Sequence, residues 1–98
     1  MAVRYAPKMP NTATKANVSG SASSGTLLAA NDARLGATIW NDSVAVLYVD
    51  YTGGTASATS CSVKLAADAY LEIPYGHTGL ITGIWASATG AARVTELT

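Results

Sequence analysis

Apolar and polar positions alternate with a period of two through most of the chain. From Thr59 to Leu65 the alternation is cleanest: Cys61, Val63 and Leu65 face one way, Ser60, Ser62 and Lys64 the other. Tyr70 to Pro74 repeats it, with Leu71 and Ile73 on one face and Tyr70 and Glu72 on the other. Gly36 to Trp40 reads as a strand, Asn41-Asp42-Ser43 breaks it, and Val44 to Tyr51 follows, rich in Val, Leu and Tyr. The pair predicts a hairpin closed by three turn-prone residues. A second hairpin is predicted at the end of the chain. Leu80, Ile81, Ile84 and Trp85 supply β-branched and aromatic bulk, Ala88-Thr89-Gly90 breaks the run, and Ala91 to Leu97 returns as a half-buried strand.

Between these lie shorter signals. Thr26 to Ala30 is a brief apolar run ending in the turn-forming pair Asn31-Asp32, although Leu27 and Leu28 also suit a helical turn through Arg34. Gly53-Gly54-Thr55 reads as a hairpin tip, Ala66-Ala67-Asp68 as a turn, and Tyr75 to Gly79 as a loop. Six or seven short strands with frequent turn signals and no sustained helical period predict an all-β fold, a small antiparallel sandwich or barrel spanning residues 26–98.

Residues 1–25 have a different texture. Pro7 and Pro10 flank Lys8-Met9, and 11–25 is almost entirely Thr, Ala, Lys, Asn, Ser and Gly. Such a segment buries too little apolar area to offset its own ordering entropy. It is expected to be an extended N-terminal arm held by something else, a partner subunit, with Tyr5 and Met9 as its large apolar anchors.

Composition narrows the function classes. A chain of 98 residues allows one small domain, and such a domain buries only roughly 60% of the surface its unfolded chain exposes. One cysteine, Cys61, excludes an intrachain disulfide, and one histidine with one cysteine makes no metal cluster. Oligomerisation is the remaining route to added stability. Six basic and six acidic residues cancel and are scattered singly, so no basic patch favours nucleic acid. No apolar run approaches the roughly 18 residues that span a bilayer. The N-terminus lacks the apolar segment of a signal peptide, which leads to the expectation of a chain made and kept in a cytosol.

Candidate chemistry is sparse. His77, between Gly76 and Thr78, has no nucleophile or orienting carboxylate at a recognisable spacing and is expected to be a surface or interface loop residue. Cys61 is expected to be a buried, unreactive thiol. Asp32, Asp42 and Asp68 fall in predicted turns, and no aspartate fits a calcium-loop pattern. Gly53-Gly54-Thr55 lacks the lysine and following helix of a phosphate cradle. No catalytic, cofactor-binding or metal residue is assigned, and the chain is read as no enzyme. The aromatic residues carry more interest. Val44 to Tyr51 is apolar on both faces except at Asp50, as expected of a strand covered on both sides, the second cover being another subunit. Tyr5, Met9, Tyr48, Tyr51, Tyr70, Tyr75 and Trp85 are therefore the candidate interface residues.

Four runs carry a family resemblance. The run Leu28 to Ser43 with Val46 to Val49, and the runs Leu71 to Gly79 and Gly83 to Glu96, resemble small structural proteins of tailed bacteriophages. The similarity covers roughly residues 27–98, and the closing Gly83–Glu96 segment is its most specific part. The resemblance implies a virion component of the head decoration or cement type. Such a protein binds the major capsid protein, stabilises the shell, and has neither cofactor nor enzymatic activity. It also implies a place in the virion after synthesis in the host cytoplasm. The combined expectation is a homotrimer, or another small cyclic oligomer, seated on the capsid. The alternative is a tail- or fibre-associated module that binds a receptor or glycan.

Overall fold

A computed structural model describes residues 8–98, and its regular structure is entirely β. The strands are β1 (Ala13–Ser19), β2 (Gly25–Leu28), β3 (Gly36–Asp42), β4 (Leu47–Asp50), β5 (Val63–Leu65), β6 (Tyr70–Ile73), β7 (Ile81–Trp85) and β8 (Ala91–Leu97). First pairs with last and so on inward: β1 with β8, β2 with β7, β3 with β6, β4 with β5, all antiparallel. The chain is thus one long hairpin, with its tip at 51–62, rolled so that β3 also meets β8 and β4 also meets β7. Two four-stranded sheets result, ordered β1-β8-β3-β6 and β2-β7-β4-β5. That is the strand order of a jelly roll.

This winding corrects both predicted hairpins. The segments Gly36–Asp42 and Leu47–Asp50 do not pair with each other but lie in opposite sheets, as do Ile81–Trp85 and Ala91–Leu97. Their short connections, 43–46 and 86–90, cross from sheet to sheet. A buried asparagine explains the first crossing. Asn41 is fully buried, and its Nδ2 donates to the carbonyls of Ala45 (2.8 Å), Leu65 (3.1 Å) and Ala66 (3.0 Å). Its Oδ1 accepts from Ser43 Oγ and from Trp85 Nε1, so every hydrogen-bonding group of the amide is used. What reads in the sequence as a turn signal is a bracket between the two sheets.

The second crossing depends on close backbone approach. Gly20 N–H donates to Gly90 O at 2.9 Å, and Gly90 has φ +60°. A Cβ on Gly20 would collide with the Thr89 carbonyl, and one on Gly90 with the Asp42 carbonyl.

The core lies between the sheets. Ala37, Ile39, Ala92, Val94 and Ile73 from the first sheet meet Leu27, Leu47, Val49, Leu65, Ile81 and Trp85 from the second. Leu27 belongs to β2, so the stretch open to a helical turn is strand. Residues 13–19, expected within an arm resting on a partner, form β1 and pair along their whole length with β8 of the same chain. Backbone pairing holds such a segment without bulky side chains, and most of its side chains are exposed. Tyr5 lies outside the described residues.

Candidate functional site

The buried polar side chains bind the scaffold to itself. Arg34 is 1% exposed. Its Nε donates to Glu96 Oε2 at 2.8 Å, its Nη1 to the carbonyls of His77 (3.2 Å) and Gly79 (2.8 Å), and its Nη2 to that of Ala29. Asn31 Nδ2 holds the other carboxylate oxygen at 3.0 Å. One guanidinium therefore ties loops 29–35 and 74–80 to β8. Burial by itself would raise the Glu96 carboxyl, but the hydrogen bonds from Arg34 and Asn31 and the guanidinium charge outweigh it and hold the pKa below its ordinary value.

Asp50 does similar work in the second sheet. It accepts from the hydroxyl and backbone N–H of Thr52 and from Ser62 Oγ, and the Thr52 bonds lead in lowering its pKa against the opposing effect of burial. By alternation with core Val49 and Ile81, Asp50 and Thr82 point away from the core, yet both are buried. The long 51–62 loop lies over them, with Gly54 O accepting from Thr82 Oγ1 at 2.8 Å and Ala56 N–H donating to Ser24 Oγ at 3.0 Å. The outer face of the β2-β7-β4-β5 sheet is thus partly roofed by the chain's own loop.

Other expected sites resolve in place. Cys61 is half-buried and lies just before β5, whose ladder begins only at Val63. The expected buried thiol is therefore corrected: the side chain falls in the loop, where Ser62 rather than Cys61 makes the bond to Asp50. His77 sits half-buried in a loop with its ring edge-on to Tyr51, centroids 5.7 Å apart. Asp68 occupies a turn at φ 62°, and Asp42 ends β3 with its Oδ2 3.0 Å from Arg93 Nε. No group of three or more His, Cys, Asp or Glu is placed to hold a metal ion among the described residues.

The candidate interface residues do not form one surface. Trp85, 3% exposed, is core, with its indole N–H spent on Asn41. It shares the inward phase of β7 with Ile81 and Gly83, which the aromatic count alone does not reveal. Tyr51 is half-buried against the core, and Tyr48 is half-buried on the outer side of β4. Met9, Tyr70 and Tyr75 are exposed. The Tyr75 hydroxyl donates to the Lys8 carbonyl, which brings the segment around Met9 against loop 74–80.

Two features escape the sequence reading. One is the outer face of the β1-β8-β3-β6 sheet, where Trp40 stands opposite Tyr70 on one side and Arg93 on the other. Trp40 is 42% exposed and Tyr70 57%. An outward phase could have been read for Trp40, since Ala37, Ile39 and Asn41 claim the inward positions of β3. The other is the free edge of β1. Thr98 N–H donates to Thr12 O and Gly20 N–H to Gly90 O, both at 2.9 Å. With the observed register, this phase turns the backbone groups of even-numbered residues toward β8 and those of 13, 15, 17 and 19 outward. Among the described residues, β1 ends its sheet, and at seven residues it is the longest of the four terminal strands, the others having three or four.

No protein-family model, no curated protein and no solved structure matches this chain.

Proposed function

We propose that the chain is a structural protein of a bacteriophage virion, of head-decoration type, that binds the major capsid protein as a homotrimer or another small cyclic oligomer and performs no catalysis. The observation that carries the reading is the outward backbone of β1. Its N–H and C=O groups at 13, 15, 17 and 19 form a template for one more strand, and strand addition takes its affinity from main-chain bonds rather than from bulky side chains. The sequence resemblance over residues 27–98 supports the same reading. So does the use of Arg34, Asn41, Asp50 and Thr82, the buried polar residues of the described chain, to fasten loops to strands. Zero net charge makes long-range capture weak, so docking rests on shape and backbone pairing.

The test is co-sedimentation of the purified protein with heads of the phage that encodes it. Saturable binding at a fixed ratio to the major capsid protein is expected, and no binding to intact heads would overturn the reading. A tail or fibre position is the second reading, favoured by the exposed Trp40–Tyr70 pair. Copy number separates the two: many copies over the shell for decoration, a few per particle for a tail tip.

A further inference from the structure

We infer that the outer face of the β1-β8-β3-β6 sheet binds a neutral glycan, with Trp40 and Tyr70 as the stacking platform and Arg93, Glu72 and Asn17 as the hydroxyl-binding rim. The inference does not depend on where in a virion the chain sits.

The register builds the site. Asn17 stands opposite Arg93, Arg93 opposite Trp40, and Trp40 opposite Tyr70, so one row crosses all four strands on the outer face. The next row runs Lys15, Thr95, Thr38, Glu72. Cross-strand neighbours on one face have Cβ atoms about 5 Å apart, which sets the two aromatic side chains side by side on a rigid ladder. Polar contacts already fix the rim. Tyr70 OH donates to Glu72 Oε1 at 2.7 Å, and Arg93 Nε donates to Asp42 Oδ2 at 3.0 Å. Both rim groups keep capacity, since a guanidinium has five donors and a carboxylate two oxygens.

Three observations select the ligand. First, the charges cancel: Arg93 and Lys15 stand against Asp42 and Glu72 on the same face. A phosphate or an acidic polymer would find no net attraction, whereas a polyhydroxylated ligand needs donors and acceptors together. Second, the aromatic area is small. At 42% and 57% exposure, two rings that each bury about 150–250 Å² offer roughly 200 Å², against about 800 Å² per partner in a standard protein interface. Their nearest neighbours on the face are polar or small (Thr38, Thr95, Asn17 and Ala91), and Thr38 with Glu72 separates the pair from the apolar Leu97, Pro74 and Tyr75 beyond. An apolar centre of that size within a polar rim matches the C–H face and hydroxyl edge of one or two pyranose rings. Third, the opposite sheet has its outer face partly roofed by loop 51–62, through Asp50 and Thr82, while this face has no such cover among the described residues.

The test is a titration of the intact protein with cellohexaose, chitohexaose and maltohexaose, each followed by the Trp40 indole N–H signal in heteronuclear NMR. At least one should shift that signal and leave the Trp85 signal in place, with a Kd of about 1 mM or below. Trp40→Ala should weaken binding by about tenfold or more, and Arg93→Ala or Glu72→Gln by severalfold. Retained near-ultraviolet dichroism of Trp85 shows that a variant is folded, and Tyr70→Ala provides a second route should Trp40→Ala not fold. No shift at Trp40 with any of the three sugars at about 10 mM would overturn the inference. So would concentration-dependent dimerisation abolished by Trp40→Ala, which would assign the face to a second copy of the chain. Trp40 lies on β3, away from the β1 edge, so Trp40→Ala should leave occupancy of phage heads unchanged, and failure of edge docking and failure of this site remain distinguishable.

Discussion

Arg34 Nε and Glu96 Oε2 lie 2.8 Å apart although 62 residues separate them in the chain. The ion pair joins the β2–β3 connection to the last strand and places a guanidinium where Ala29, His77 and Gly79 direct their carbonyls. Removing one member of a buried pair strands the other, at a cost of about 3–5 kcal/mol. Arg34→Ala is expected to destabilise the fold by about 3 kcal/mol or more in urea denaturation, since three carbonyls also lose their donor. Glu96→Gln should cost less, because the Glu96 side chain keeps 19% exposure and glutamine still accepts a hydrogen bond.

The same pair predicts acid sensitivity. Glu96 and Asp50 both have folded-state pKa values below their ordinary values of 4.5 and 3.8. The unfolded chain therefore takes up protons first as pH falls. The stabilisation is fully present above the unfolded values and is lost as pH descends through the folded ones. The melting temperature should be flat above about pH 5.5 and fall below about pH 4.5. Glu96→Gln should flatten part of that fall. An equally steep acid limb in the variant would contradict the assignment to Glu96.

Strand positions beyond residue 25 were largely legible in the sequence because alternation is local, whereas β1, with few bulky residues to alternate, read as part of an arm. Most pairings were not legible. The hairpin rule lets neighbours in sequence pair, as β4 and β5 do around the Gly53-Gly54-Thr55 tip, whereas β3 pairs with β6 and β8, and β7 with β2 and β4. Asn41-Asp42-Ser43 has the composition of a turn, and only the depth of Asn41 distinguishes a bracket from one. Arg34 follows the turn-forming pair Asn31-Asp32, and nothing adjacent to it in sequence marks it as buried. Its signal was indirect: Glu96 follows Ala92 and Val94 in the inward phase of β8, and a carboxylate at such a position needs a cation. The aromatic count placed Trp85 at an interface and passed over Trp40, because exposure depends on strand phase rather than residue type.

Asn41 should tolerate substitution poorly. Asn41→Ala strips the carbonyls of Ala45, Leu65 and Ala66 and the Trp85 indole N–H of their partner in a buried site. A loss of about 3 kcal/mol is expected, with the Trp85 near-ultraviolet signal weakened. A loss under about 1 kcal/mol would show that the crossing is held elsewhere.

Glycine substitutions at the two ends of the β1–β2 connection should differ in the size of their effect. Gly20→Ala meets the Thr89 backbone, whereas a Cβ on Gly25 meets nothing within 4 Å. The first should lower stability by about 1–3 kcal/mol and the second by less than about 0.5 kcal/mol, read as a difference in melting temperature.

Docking through the outward edge of β1 is the central claim, and Lys15→Pro tests it most directly. Residue 15 turns its N–H away from β8, so proline there removes a docking donor without removing a ladder bond of the fold. The measurement is occupancy of phage heads by wild type, Lys15→Ala and Lys15→Pro, each shown by circular dichroism to be folded. The account predicts near wild-type occupancy for Lys15→Ala and a loss of about tenfold or more in affinity for Lys15→Pro. Full occupancy by folded Lys15→Pro would contradict it.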